Sequence, residues 1–161
     1  MGLKRIEKDA VVAKLVSKKG EPLALESVRA DIQAIFGMGY FDDIAVMGKP
    51  VGAQDVELTY KIKERPVISK LEFEGNEQVD TSDLKGVIKV KEWSILDLNK
   101  IREDVKLIQK HYEDKGYYLT KIDFEVKKIK DKDDEVELYY KINDYDKVKI
   151  KKLTFLNNKV F

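Results

Sequence analysis

Residues 55–62 read DVELTYKI and residues 135–142 read EVELYYKI, the same pattern 80 positions later. The match does not stand alone. GYF at Gly39 returns as GYY at Gly116 after 77 positions, and ISKLEF at Ile68 returns as IKKLTF at Ile150 after 82. The start joins the series, since GLKRI from Gly2 parallels GNEQV from Gly75 at an offset of 73. A slow drift of this kind is what loop insertions between fixed elements produce. The chain therefore reads as two copies of one unit of about 75–80 residues.

Each copy resolves into elements. In the second, Leu71 and Phe73 alternate with Glu72 and Glu74, a half-buried strand. Gly75-Asn76 follows as a turn in which positive φ is cheap. Asp80, Thr81 and Ser82 are candidate N-caps for a short helix carrying Leu84, Val87 and Ile88. The stretch NKIREDVKLIQKHYEDKG places Ile101, Val105, Ile108 and Tyr112 on one face of a longer helix, which Gly116 ends. Two strands close the unit. Ile122, Phe124 and Val126 share one parity in the first, and Val136, Leu138, Tyr140 and Ile142 in the second, with the polar link KIKDKDDE between them.

The first copy repeats the plan from its first helix, KDAVVAKLV, and its second, LESVRADIQAIF, with Val28, Ile32 and Ile35 or Phe36 on one stripe. Gly37 and Gly39 end that helix, Ile44 and Val46 begin a strand, and Val56, Leu58, Tyr60 and Ile62 line the core face of the last one. The opening strand is missing from this copy. The expected fold class is α+β: two tandem β-α-α-β-β units, each a small mixed three-stranded sheet covered by two helices, the first unit lacking its first strand. The expected boundaries are 1–65, 66–145 and, as the first strand of a truncated third unit, 146–161.

Composition narrows the function classes. The 161 residues are 43% hydrophobic and 38% charged, which fits a well-solvated globular chain with modest cores. Lys plus Arg number 31 against 30 Asp plus Glu, so no nucleic-acid footprint stands out. With no Cys there is neither a disulfide nor a thiolate site. The opening MGLKRIEKDA has no apolar stretch of the kind a secretion signal carries, and no apolar run approaches the ~18 residues of a spanning helix. His111 stands alone, one position off the apolar stripe, and reads as a surface or boundary residue. The scattered Asp and Glu read as solvated faces, and Trp93 as an aromatic covering the edge of the core. The reading assigns no catalytic residue, no metal ligand and no cofactor. Tyr60, Tyr139 and Tyr140 raise a second class, a small α/β module that stacks RNA bases. Near-neutral charge argues against it, as does the absence of a GXXG loop from the inter-helix segments SKKGEPLA and KVKEWSIL.

A repeat of this length with a strand ending in FEGN, GY after the long helix, and KERP (Lys63, Glu64, Arg65, Pro66) at the junction resembles the POTRA, or polypeptide-transport-associated, domains. The junction followed by VISKLEFEGN is especially similar to those of the bacterial outer-membrane barrel-insertase family. The marker residues are Gly39-Tyr40, Gly116-Tyr117 and Gly75-Asn76. One departure is Asn157-Asn158 where the family pattern has Gly-Asn; Asn tolerates the left-handed conformation.

The resemblance implies a non-enzymatic periplasmic module tethered to the outer membrane through a barrel in a longer parent. It implies as partners unfolded outer-membrane β-barrel proteins, accessory assembly lipoproteins, and adjacent POTRA domains with the barrel itself. A POTRA array of a two-partner secretion or organelle-import barrel is the neighbouring alternative. The family's proposed mechanism is β-augmentation at a free sheet edge. With the second strand of each unit as that edge, the expected sites are Asp43–Lys49 and Leu119–Lys127. They carry Asp43, Ile44, Ala45, Val46 and Met47 in the first copy, and Leu119, Lys121, Asp123, Glu125 and Lys127 in the second. Charges along the second, and Gly48, Pro50 and Gly52 beside the first, oppose permanent aggregation.

The ending IKKLTFLNNKVF reads as a strand that opens a third unit, so the chain is expected to be a segment of a longer protein. One end carries a strand without a sheet and the other a sheet without its strand. Residues Lys149–Leu156 of one molecule are therefore expected to complete the first unit of another, head to tail. Burial of Leu153 and Phe155 would contribute about 1.5–3 kcal/mol each.

Overall fold

The computed structural model describes residues 3–154. It divides into two compact units, Met1–Pro66 and Val67–Phe161. Unit 1 runs α1 (Lys8–Val12), α2 (Leu25–Gly37), β1 (Phe41–Val51) and β2 (Asp55–Glu64). Unit 2 runs β3 (Val67–Glu74), α3 (Thr81–Val87), α4 (Leu98–Asp114), β4 (Lys121–Ile129) and β5 (Lys132–Asn143). Its sheet has the order β3-β5-β4, with β3 parallel and β4 antiparallel to the central β5. Among the described residues of unit 1 the strands are β1 and β2, an antiparallel hairpin. The α+β architecture with a strand fewer in the first unit is thus the one its sequence predicts.

Helix α4 shows why these residues fold as they do. Asp97 caps it, its carboxylate accepting from the N–H of Asn99 (3.0 Å) and Lys100 (3.4 Å). Its C-terminus closes with two reverse bonds, Tyr117 N–H to Tyr112 C=O and Gly116 N–H to Glu113 C=O, each 2.9 Å. Gly116 at φ 93° makes this possible, and the Tyr112 and Tyr117 rings then meet edge-on at 6.0 Å. The buried stripe of α4 is Ile101, Asp104, Ile108 and Tyr112. Val105 is only half-buried, because Asp104 occupies the centre of the stripe.

Gly75 is the most constrained turn residue. Its φ is 82°, and a Cβ placed on it would lie 2.1 Å from the carbonyl oxygen of Ile142. Asn76 locks the turn through its Nδ2, which donates to Val79 C=O (2.9 Å) and Thr81 Oγ1 (3.1 Å).

Several boundaries differ from the sequence reading. Helix α1 stops at Val12 rather than running through Val16, because the N–H groups of Val16 and Ser17 turn to the Asp31 carboxylate. In α2 it is Ile35, not Phe36, that is buried. The β4–β5 link is only the pair Lys130-Asp131, with Asp131 at φ 65°. The expected edge Leu119–Lys127 starts later, at Lys121. Leu119 lies in the preceding turn, 59% exposed, since the chain leaving the Gly116 cap must first cross to the sheet. Residues 144–154 carry neither helix nor strand. The rest of the expected third-unit strand, 155–161, lies outside the described residues, as does Gly2.

Candidate functional site

A sheet edge accepts another strand only where its N–H and C=O groups are not already paired. Unit 2 has two outer strands, and they are treated differently. Along β3 the segment after α3 returns antiparallel: Ile68 N–H donates to Ser94 C=O (2.9 Å) and Trp93 N–H to Ile68 C=O (2.7 Å). The Glu92 carboxylate then accepts from Leu71 N–H at 3.3 Å, and Val67 bridges to Ile95. The β3 edge is therefore occupied over much of its length. Trp93 reaches this geometry with φ 64°, a cost for a bulky residue. Its ring is 66% exposed, so its backbone covers a sheet edge while its ring does not cover the core, contrary to the sequence reading.

Strand β4 has no such cover among the described residues. Ile122, Phe124 and Val126 are half-buried toward the helices, and Lys121, Asp123, Glu125 and Lys127 line the opposite, exposed face. Phe124 N–H donates to the carboxylate of its own neighbour, Asp123 (2.8 Å), which keeps an edge donor satisfied without a second strand.

The exposed face of this sheet is tied across its three strands. Lys141 on β5 pairs with Glu74 on β3 (2.5 Å) and Glu125 on β4 (3.2 Å), while Lys127 lies 3.7 Å from Glu125. The hydrogen bonds it donates to Glu74 and Glu125 hold the Lys141 ammonium above its usual pKa, and the one that Glu74 accepts holds that carboxylate below its own. Beneath them lies Tyr139, with Lys127 Nζ 4.4 Å from its ring centre and its hydroxyl on Glu137 (2.7 Å). Glu125 and Lys127 thus face inward to this network as well as outward along the edge.

In unit 1, Asp43–Lys49 falls within β1, opposite Lys63 through Glu57 of β2. Ile44 and Val46 face the core, while Asp43, Ala45 and Met47 are exposed. Pro50 and the left-handed Gly52 stand at the far end of the strand. The turn residues separate into two kinds. Gly39 (φ 78°) and Tyr40, 40% exposed, close α2 in open space, whereas Gly116 and Tyr117 close α4 against the core.

The junction residues do more than separate units. The Glu64 carboxylate accepts from the N–H groups of Lys4 (2.9 Å), Arg5 (3.1 Å) and Ile6 (3.2 Å) and from Arg5 Nε (3.1 Å). Burial would raise its pKa, but the hydrogen bonds from Arg5, Ile6 and Lys4 outweigh that and hold it low. Arg65 donates from its N–H to Tyr40 C=O (2.8 Å) and from Nε to Phe41 C=O (3.1 Å). Lys63 is exposed, and Pro66 leads directly into β3.

Sequence reasoning missed a second set of carboxylates. Asp31, fully buried on α2, accepts from the N–H groups of Val16 and Ser17 and from the Tyr60 hydroxyl (2.6 Å). Asp104, fully buried on α4, accepts from the N–H groups of Lys89 (2.8 Å) and Val90 (2.9 Å) and from the Tyr140 hydroxyl (3.0 Å). Every member of one set is the repeat counterpart of a member of the other. In the same way Asp144, the counterpart of Glu64, accepts from Gln78 N–H at 2.7 Å. The signal was there once the copies were aligned: VRADI and IREDV place an acid at the same point of a stripe otherwise apolar. Burial pushes the Tyr60 hydroxyl up to about 12, with its Asp31 partner adding to the rise, and pushes Tyr140 higher still. Asp31 is held below the ordinary carboxylate range: burial alone would raise it, but Ser17, Tyr60 and the two backbone donors prevail. These carboxylates are fully engaged as acceptors, which makes them fasteners rather than acid–base groups.

Among the described residues no group of acids and histidine is placed to hold a metal ion, and no helix is long and apolar enough to cross a membrane.

The sequence model of the family POTRA, described as a surface antigen variable number repeat, matches residues 2–65 and again 66–144. A protein named outer membrane protein assembly factor BamA, from Nitratidesulfovibrio vulgaris, is 26% identical over 121 residues, covering 75% of this chain and 15% of that protein. A putative outer membrane protein assembly factor from Treponema pallidum is 27% identical over 145 residues, covering 89% and 17%. The chain thus spans about a sixth of the length of these relatives. Among solved structures, the N-terminal domain of Omp85 from the cyanobacterium Thermosynechococcus elongatus aligns with a TM-score of 0.55 at 20% identity, covering 82% of this chain and 55% of that one.

Proposed function

Since the chain belongs to the POTRA family, matched once by each of its units, we propose that it is the scaffold and client-binding part of an outer-membrane β-barrel assembly machine. In this reading it works in the periplasm, tethered through the barrel of a longer parent, and carries out no chemistry of its own. Unfolded outer-membrane proteins and accessory lipoproteins add as strands to the outer edges of β4 and β1. The observation that carries the proposal is the asymmetry of the unit 2 sheet. The β3 edge is occupied by residues 92–95, whereas β4 offers an edge uncovered among the described residues, with an apolar parity on one side and a charged one on the other.

That arrangement suits sequence-tolerant, reversible pairing. Backbone groups supply the bonds, so a client need only alternate apolar and polar residues, as barrel strands do. The charged parity of Lys121, Asp123, Glu125 and Lys127 opposes stacking of many copies. The test is an NMR titration with a peptide from a barrel strand and, separately, a short RNA. Shifts centred on 121–129 and 41–51 with the peptide support the reading. Shifts elsewhere in the two units, or with RNA alone, sink it.

A further inference from the structure

The exposed parity of β4 runs Lys121, Asp123, Glu125, Lys127: base, acid, acid, base. By charge order alone the strand reads the same from either end. The tertiary contacts break that symmetry. At the far end Glu125 lies 3.2 Å from Lys141 and 3.7 Å from Lys127, and Lys127 also stands over the Tyr139 ring at 4.4 Å. Both charges there are met within the sheet. At the near end neither Lys121 nor Asp123 has an ion-pair partner among the described residues. Lys121 lies opposite Asn143, a neutral amide that donates to the Tyr145 hydroxyl (3.2 Å). Asp123 lies opposite Lys141, but that ammonium goes to Glu74 and Glu125 instead.

The Asp123 carboxylate is held by the N–H of its neighbour Phe124, at 2.8 Å. A strand that adds to β4 takes that N–H with a carbonyl of its own. The carboxylate then loses its partner unless the strand brings a base to it, and a charge left unmet is a cost. Two residues away, the Lys121 ammonium is best met by an acid. There is room for both side chains. A cavity of about 560 Å³ opens at this end of the strand, with Lys121, Asp123 and Asn143 in its wall. The buried Thr120 hydroxyl, of the same wall, has no hydrogen-bond partner among the described residues.

We propose that Lys121 and Asp123 are the specificity-determining pair of the β4 edge, and that the strand they select carries a base opposite Asp123 and an acid opposite Lys121. On the reading that unfolded barrel-protein segments add to β4, on which this rests, the pair decides which segments do so. In antiparallel addition the side chains stand directly opposite one another, and such pairing is slightly more stable than parallel. The preferred segment therefore reads, from its own N-terminus, base-x-acid on one parity. Its other parity is apolar and continues the face of Ile122, Phe124 and Val126. The reverse order, acid-x-base, would suit Glu125 and Lys127, which are already engaged.

The test compares two short strand peptides of identical composition, one with Lys-x-Glu and one with Glu-x-Lys on the polar parity. Each is titrated at low salt into the isotope-labelled chain and followed by NMR. Both should shift the amides of 121–129, with Lys-x-Glu binding about fivefold tighter because its two cross-strand charge pairs are matched rather than opposed. A spin label on the N-terminus of that peptide should broaden Ile129 more than Ile122, the mark of an antiparallel strand. In the Lys121→Gln, Asp123→Asn double variant the preference should vanish while binding remains. Both positions are exposed, so the variant keeps its fold, which circular dichroism verifies. Equal affinities, a preference for Glu-x-Lys, or a preference that survives the double variant would each overturn the charge pairing while strand addition to β4 still stands. So would stronger broadening at Ile122. If neither peptide shifts 121–129, the reading of β4 as an acceptor edge falls, and the selective pair with it.

Discussion

Strands β2 and β5 have nearly the same sequence and very different surroundings. In β5, Leu138 and Tyr140 are fully buried, Val136 is 4% exposed and Ile142 6%. In β2, Val56 is 44% exposed and Leu58, Tyr60 and Ile62 are only half-buried. Both are paired on one side by an antiparallel neighbour and both face two helices. The difference is β3, which pairs with β5 and brings Ile68, Leu71 and Phe73 over the core. Burial of an apolar parity is therefore a property of the layer around a strand and not of the strand alone. Since each fully buried large aliphatic side chain is worth about 1.5–3 kcal/mol, unit 2 is expected to be the more stable half.

The strongest way to break that comparison is at Gly75. Gly75→Ala forces a Cβ onto the Ile142 carbonyl in a left-handed turn and should cost unit 2 about 4 kcal/mol. Gly39→Ala, also left-handed but facing open space, should cost unit 1 about 1 kcal/mol. The chain's single Trp, Trp93, lies in unit 2, so its fluorescence follows that unit. Amide resonances of α2 follow the other. Equal losses in the two units would show that the close approach to Ile142 does not matter.

Next in size are the duplicated carboxylates. Asp104→Ala leaves two backbone donors and the Tyr140 hydroxyl unpaired and should cost about 3 kcal/mol, with Asp31→Ala doing the same in unit 1. If the two units share this fastener, each variant lowers the denaturant midpoint of its own unit by a comparable free energy. A loss confined to unit 2 would make the unit 1 set ornamental. Smaller again are Tyr140→Phe and Tyr60→Phe, each removing one bond to a carboxylate at about 1.5 kcal/mol.

The smallest expected effect is on acid stability. Asp31 and Glu64 titrate lower in the folded unit 1 than in an unfolded chain. Their stabilisation is then complete above the unfolded carboxylate value, near pH 4, and drains away as pH falls below it. Acid titration of unit 1 amides should show this loss, and Asp31→Asn should flatten its slope. An unchanged slope would mean that the fastener does not depend on charge.

How much of this was legible depends on the range of the interaction. Helix α4 was visible in its stripe because i, i+3 and i+4 neighbours come from the same stretch of chain. The β4–β5 hairpin was visible in its parities for the same reason, though Leu119 was placed in the strand two residues too early. The buried role of Asp31 and Asp104 was not seen, because an acid on a helix reads as solvated until its acceptor partners arrive from another element. Nor did anything in the loop around Trp93 announce that its backbone would cover β3.

The sequence by itself determined the duplication, the order of elements within each copy, the strand parities apart from the register shift at Ile68–Lys70 and the burial of Tyr139, and the turns at Gly39, Gly75 and Gly116. All of these are local or are repeated, and repetition lets one copy interpret the other. Only the tertiary structure decided which sheet edges are open. An edge is open or closed according to what packs beside it: residues 92–95 close β3, while β4 and the far side of β2 remain uncovered among the described residues. That outcome depends on backbone groups, which every residue shares and which no side-chain pattern records.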